Sequence, residues 1–104
     1  MSTKITITID TQPEDETPER SEKRTGSAPG YAKAVREVQK TAEGRWGWCT
    51  VVITAKGGGK EGRAYLGNCS YRNAEDFANG GYLPQMVEEA IEDMLPKLEV
   101  KSNA

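Results

Sequence analysis

The two cysteines are the residues of this chain whose type and spacing could carry chemistry. Cys49 and Cys69 are equidistant from Gly59, the centre of a glycine-rich turn with the sequence KGGGKEG. If this turn closes a β-hairpin, the two thiols face each other with about 4.5–5.5 Å between α-carbons, which is within disulfide reach. The pair is then either a redox-sensitive disulfide between the strands or two small buried side chains, as free cysteines usually are. We expect two buried free thiols.

The lack of histidine narrows the chemistry further. The chain contains none, which excludes Ser-His-Asp and Cys-His arrangements and the usual general base near neutral pH. Two cysteines without histidine do not complete a tetrahedral zinc site unless carboxylates or a second chain contribute. We therefore predict no catalytic residue, no metal and no cofactor, and we expect a protein that is not an enzyme.

Length and composition set the scale of the fold. A chain of 104 residues is at most one domain. No run approaches the ~20 apolar residues of a membrane span, and the N-terminus lacks the pattern of a signal peptide. We expect a cytoplasmic protein without membrane contact, in which both thiols stay reduced.

The N-terminal third differs in character from the rest. Residues 4–9, KITITI, alternate between apolar and polar side chains and predict a half-buried strand. Residues 10–30 carry three prolines and many charges, which indicates a flexible tether. The predicted organisation is a flexible N-terminal segment over 1–30, with the strand-forming stretch at 4–9, followed by a single compact domain over 31–100.

A β-hairpin over residues 46–71 is the centre of the predicted fold. With the turn centred on Gly59, Cys49 lies opposite Cys69, Val51 opposite Gly67, Val52 opposite Leu66 and Ile53 opposite Tyr65. One face then carries Cys49, Val51, Ile53, Ala55, Tyr65, Cys69 and Tyr71. The other carries Trp46, Trp48, Thr50, Val52, Thr54, Ala64 and Leu66. A slip of one residue would exchange faces, so the register is a specific prediction.

Three helical segments accompany the hairpin. Residues 82–98 form an amphipathic helix whose apolar side chains recur at helical spacing. Residues 31–42 favour a helix, with an alternating strand as the other interpretation. Residues 72–81 predict a single helical turn capped by Asn73 and anchored by Phe77. The predicted fold class is α+β: an antiparallel sheet built on the 46–71 hairpin and packed on its cysteine face by the C-terminal amphipathic helix.

The two tryptophans are the first candidates for binding. Trp46 and Trp48 fall on the predicted face opposite the cysteines, and the final helix covers only one face of a sheet. The 31–42 helix, a second copy of the chain or a partner must therefore cover the indoles. A patch of this size left uncovered would mark an interaction surface.

The hairpin turn and the final helix carry opposite charges. The turn fails the G-x-x-x-x-G-K-[ST] phosphate-loop pattern, although a basic hairpin with nearby aromatic rings is a common nucleic-acid contact. The acidic side of the helix is a solvated face or a contact for a basic protein surface. The candidate partner-binding residues are Arg45, Trp46, Trp48, Lys56, Lys60, Arg63, Glu88, Glu89, Glu92 and Asp93.

The segments WGWC, YLGNCSY and EDF-x-x-GGY-x-x-x-M resemble small uncharacterised proteins encoded by bacteriophages and prophages. The resemblance covers about half of the chain and implies a non-enzymatic accessory protein that acts on host machinery in the bacterial cytoplasm. The predicted function is binding of a host protein complex, such as a defence system, to inhibit or redirect it. The alternatives are a nucleic-acid-binding regulator that uses the basic hairpin and a small redox-sensitive protein that uses Cys49 and Cys69.

Overall fold

Residues 4–102 contain a three-stranded sheet and four helices. The computed structural model describes the backbone of residues 4–102 and the side chains of residues 4–95. The elements are β1 (Thr6–Gln12), α1 (Pro18–Thr25), α2 (Tyr31–Gln39), β2 (Cys49–Gly57), β3 (Lys60–Cys69), α3 (Ala74–Asn79) and α4 (Leu83–Ser102). The predicted α+β fold class is confirmed. Among the described residues, no helix combines the length and apolar character needed to cross a membrane.

The sheet has the order β1-β2-β3 and both pairs of strands are antiparallel. β1 is the strand that the alternation at residues 4–9 predicts. Ile7 lies opposite Ala55 and Ile9 opposite Ile53, and both isoleucines pack against the core. The apolar side of the alternation therefore faces inward, while its threonines Thr6 and Thr8 are exposed.

The hairpin differs from the predicted register by one residue over most of its length. Gly58 and Gly59 both have positive φ, 57° and 76°, as the two central residues of a type I′ turn require. The turn is therefore centred between these glycines, and Gly57 lies opposite Lys60. The observed pairs include Val51 with Leu66, Val52 with Tyr65 and Ile53 with Ala64. The predicted partners of Val51, Val52 and Ile53 are wrong.

A bulge restores the predicted cysteine pair. The register shifts between Val51 and Cys49, so that Cys49 lies opposite Cys69 as expected. Two residues of β3, Gly67 and Asn68, then face one residue of β2, and Asn68 adopts the left-handed conformation at φ 55°. The shift exchanges faces in β3: Ala64 and Leu66 pack on the core side, whereas Tyr65 is exposed.

The helix α4 covers the cysteine face, as predicted. Its residues Met86, Ala90 and Met94 are buried against the sheet, at helical spacing. Phe77 of α3 is also fully buried in this core. Full burial of a side chain of this size contributes about 1.5–3 kcal/mol, so α3 and α4 are fixed mainly by apolar packing.

The short helix α3 has the predicted cap. In α3, the side chain of Asn73 accepts a hydrogen bond of 2.9 Å from the backbone N–H of Asp76, as expected of a cap. The helix α2 confirms the helical interpretation of 31–42, although it ends at Gln39. Its buried residues are Ala32 and Val35.

The prediction of a flexible tether is wrong for residues 18–25, which form α1. Thr17 caps this helix by accepting from the backbone N–H of Arg20 at 3.1 Å, and Pro18 occupies its first turn. Gly26 ends it in the left-handed conformation. Local caps therefore specify a helix in a segment that has almost no apolar side chain to reveal it.

Candidate binding surface

Trp46 belongs to the core side of the sheet. Its ring lies 5.8 Å from that of Phe77, centroid to centroid, and it packs against the buried cluster under α4. Its backbone carbonyl accepts a hydrogen bond of 2.8 Å from the N–H of Tyr71. The turn before β2 is thereby joined to the segment after β3.

Trp48 points to the N-terminal helices instead. Its ring makes an edge contact with Tyr31 of α2, and its indole N–H donates a hydrogen bond of 2.6 Å to the carbonyl of Glu16. The predicted shared tryptophan face is therefore wrong. Both residues precede β2, which begins at Cys49, so strand alternation does not govern them. Gly47 lies between the two tryptophans in the sequence and packs closely against Gln39. A β-carbon built on Gly47 would be 2.7 Å from the α-carbon of Gln39.

Three residues from each strand form a grid on the sheet face opposite α4. We call it the open face. The pairing places Thr6, Lys56 and Glu61 in one row, Thr8, Thr54 and Arg63 in the next, and Asp10, Val52 and Tyr65 in the third. Val52 and Thr54 are buried in the middle strand, whereas Tyr65 is 57% exposed. An exposed aromatic ring therefore stands on a rigid sheet.

The charges of the open face balance one another. The carboxylate of Glu61 lies 3.0 Å from Nη2 of Arg63 and 3.8 Å from Nζ of Lys56. Asp10 adds a second carboxylate in the row of Tyr65. On this face, Glu61 and Asp10 thus balance the charges of Lys56 and Arg63.

The remaining predicted contacts are dispersed over the molecule. Arg45 is exposed in the turn before β2, and Lys60 begins β3 beside the hairpin turn. Three acidic residues of α4, Glu88, Glu89 and Glu92, are exposed. Asp93 instead reaches the edge of β3, where its carboxylate accepts from the backbone N–H of Arg63 at 3.0 Å. The structure brings Lys56 and Arg63 together on the open face and separates Trp46 from Trp48.

Both cysteines are buried free thiols, as expected. Cys49 is 0% and Cys69 4% exposed, and the thiol of Cys69 donates to the carbonyl of Leu66 at 3.2 Å. Burial raises the pKa of Cys49 to about 12, with smaller effects of Cys69 and Glu14. Burial also raises the pKa of Cys69 to about 11. Because the thiolate is the reactive form, this burial weighs against redox or nucleophilic use at neutral pH.

A cleft at the C-terminal end of β3 is lined by tyrosines that the sequence does not identify as binding residues. It has a volume of about 280 Å³, and three tyrosines, Tyr31, Tyr71 and Tyr82, line it together with residues 66–70. These tyrosines come from α2, the loop after β3 and the residue before α4. No local pattern could have joined them, because only the tertiary fold brings their rings together.

Within residues 4–95, no group of three cysteine, aspartate or glutamate side chains is placed to hold a metal ion. Comparison with known proteins gives no match to a family model, to a curated protein or to a solved structure. The phage resemblance therefore stays a prediction.

Proposed function

We propose that this chain is a small binding protein that occupies the surface of a partner protein complex and thereby inhibits or redirects it. The open face is the proposed contact, and the observation that carries the proposal is the exposure of Tyr65 there. Tyrosine and arginine are enriched among the residues that dominate binding energy at protein interfaces. Tyr65 has Arg63 two residues away on the same face.

The rigidity of the open face favours binding. Tyr65 and Arg63 lie in β3, which pairs with β2 on one side, and the N–H of Arg63 donates to Asp93 of α4. The helix α4 also packs on the reverse face of the sheet. A ring on such a support loses little conformational freedom when a partner covers it. The open face combines an exposed aromatic ring, an arginine and a backbone fixed by the sheet.

The charge balance favours a protein partner over a nucleic acid. A nucleic-acid site of this kind joins stacking rings to a surplus of positive charge. The open face offers Tyr65 for stacking, but Glu61 lies within 4 Å of both basic side chains. A mixed surface of Thr, Tyr, Arg and balanced charges fits a polar protein interface. The resemblance to phage proteins supports a bacterial host as the source of that partner.

The test is capture of partners from bacterial lysate with two matched variants. Tyr65→Ala/Arg63→Ala removes the open-face contact, while Glu88→Ala/Glu89→Ala removes charge from the acidic side of α4. We expect the open-face variant to raise the Kd for the captured protein by about tenfold or more, and the α4 variant to change this Kd little. The proposal is wrong if the open-face variant stays folded and retains its partner with unchanged Kd.

A second copy of the chain is a competing occupant of the open face. Light scattering with gel filtration measures the mass of the purified protein and of Tyr65→Ala. If the wild type is a dimer that Tyr65→Ala converts to monomer, the open face is a homodimer contact and the proposed partner is excluded from it.

A further inference from the structure

The cleft at the end of β3 is a separate site from the open face. Tyr31, Tyr71 and Tyr82 line it, and two of these rings are held from behind by other aromatic rings. Tyr31 contacts Trp48 at a centroid distance of 6.3 Å. Tyr71 contacts Phe77 at 5.2 Å, in an edge-on arrangement. Tyr82 is 49% exposed. Two walls of the cleft are therefore fixed before any ligand binds.

The electrostatic environment of the cleft suits a cation. Among residues 4–95, no lysine or arginine lines the cleft, and the faces of aromatic rings attract positive charge. The carboxylate of Glu14 lies behind one wall, where a β-carbon built on Gly67 would be 3.4 Å from its Oε2. Glu14 is fixed there because Oε2 accepts from the N–H of Asn68 at 2.8 Å and from the hydroxyl of Thr50 at 3.0 Å.

The volume limits the size of the occupant. Drug-sized ligands and cofactors occupy pockets of roughly 300–1,000 Å³. A cleft of about 280 Å³ is below this range and matches a single long side chain. From the three tyrosines and the nearby carboxylate, we propose that the cleft binds the primary ammonium group of a lysine side chain. The ammonium lies against the aromatic rings.

The test uses the whole chain and a minimal lysine probe. Nα-acetyl-lysine amide is titrated while the resonances of the tyrosine rings and of the Ser70 amide are followed by NMR. The matched ligand is Nα,Nε-diacetyl-lysine amide, which has the same stem but no charge. We expect saturable chemical-shift changes with the charged ligand, and binding that is weaker by about fivefold or more with the diacetylated ligand. Equal binding of both ligands, or no saturable shift with the first, would overturn the proposal.

Two variants locate the binding. Tyr82→Ala removes a half-exposed ring, and we expect the Kd for the lysine probe to rise about threefold to tenfold. Tyr65→Ala is the control, and it should bind the probe like the wild type. If Tyr82→Ala binds the probe normally, the site is elsewhere and the proposal is wrong.

The same control separates this site from the proposed function. Tyr65→Ala should lose the partner protein and keep the lysine probe, whereas Tyr82→Ala should weaken binding of the probe. Each of the two proposals can therefore fail alone.

Discussion

Gly62 of β3 lies directly against the backbone carbonyl of Ala90 in α4. A β-carbon built on Gly62 would overlap this oxygen and the amide nitrogen of Met94, and it would lie 2.9 Å from the carbonyl carbon of Asp93. These are helix backbone atoms, which cannot rotate aside as a side chain would. The lack of a side chain at residue 62 therefore sets how closely α4 approaches the sheet.

The first prediction is that Gly62→Ala destabilises the protein strongly. The added methyl group must push α4 away from β3, and forcing extra atoms into a packed core costs about 1–3 kcal/mol or more. We expect a loss of this size in the free energy of unfolding, measured by urea denaturation with circular dichroism. Gly67→Ala is the control, because its β-carbon would lie 3.4 Å from a side-chain oxygen. Equal losses in both variants would contradict the steric role of Gly62.

The second prediction concerns pH and the buried thiols. Burial raises the pKa of Cys49 and Cys69 to about 12 and about 11, from an ordinary value of 9.0. Between pH 9 and pH 11 the unfolded chain therefore loses thiol protons that the folded chain keeps. Stability contributed by the neutral thiols is complete below pH 9 and decreases as the pH rises. Each thiol should lower the free energy of unfolding by about 1 kcal/mol between pH 9 and pH 10.

The measurement is urea denaturation under reducing conditions at pH 8, 9 and 10. Cys49→Ala/Cys69→Ala is the control, since its remaining pH dependence reports all other groups. Tyrosines are among these, because burial is the largest cause raising the pKa of Tyr31 and of Tyr71. A wild type that loses no more stability than the double variant from pH 9 to pH 10 would show that the thiols titrate normally.

The third prediction is that Trp48→Phe loosens the N-terminal segment selectively. Phenylalanine keeps an aromatic ring beside Tyr31 but cannot donate to the carbonyl of Glu16. The loss of this hydrogen bond should cost about 1 kcal/mol. We expect faster amide hydrogen exchange over residues 13–30, measured by mass spectrometry, with little change in β2 and β3.

Trp46→Phe is the control for this prediction. The ring of Trp46 contacts Phe77 in the core under α4. A smaller ring at residue 46 should therefore change amide hydrogen exchange in α3 and in the strands. If both variants accelerate exchange over 13–30 equally, the indole N–H of Trp48 does not hold the segment.

The parts of the fold that follow from periodicity could be predicted from the sequence. The apolar residues of α4 recur at helical spacing, and those of β1 alternate, so the inward sides of both elements were evident. Asn73 and Phe77 define α3 through a cap and an anchor, which are local signals. In each case the information lies within a few residues of the chain.

The register and the tryptophan positions could not be predicted in the same way. The turn has three consecutive glycines, so its centre is not fixed by composition, and an error of one residue exchanges Tyr65 with Ala64. The bulge at Asn68 then restores the cysteine pair. Apolar periodicity does not reveal α1, because caps and polar contacts with distant residues stabilise this helix. One such contact is the 3.1 Å hydrogen bond from the side-chain amide of Asn68 to the hydroxyl of Ser21.

The candidate site depends on this same register. The predicted register places Tyr65 on the core face, whereas the observed pairing with Val52 places it on the open face. The ion pair between Lys56 and Glu61 depends on which residues lie opposite each other across the hairpin, and the predicted register does not place these two opposite. Arg63 is two residues from Glu61 in β3, so their ion pair does not depend on the register. The proposed interface therefore depends on the observed strand pairing, which the sequence alone does not determine.

The fourth prediction tests whether Glu61 masks the basic side chains of the hairpin. Glu61→Gln removes the negative charge beside Lys56 and Arg63, which should strengthen binding to a polyanion. We expect this variant to elute from a heparin column at higher salt than the wild type. Glu88→Gln makes the same change of net charge on the exposed side of α4 and should elute closer to the wild type. If the two variants elute together, net charge alone explains the effect, and the argument that ion pairing disfavours nucleic acid at the open face is lost.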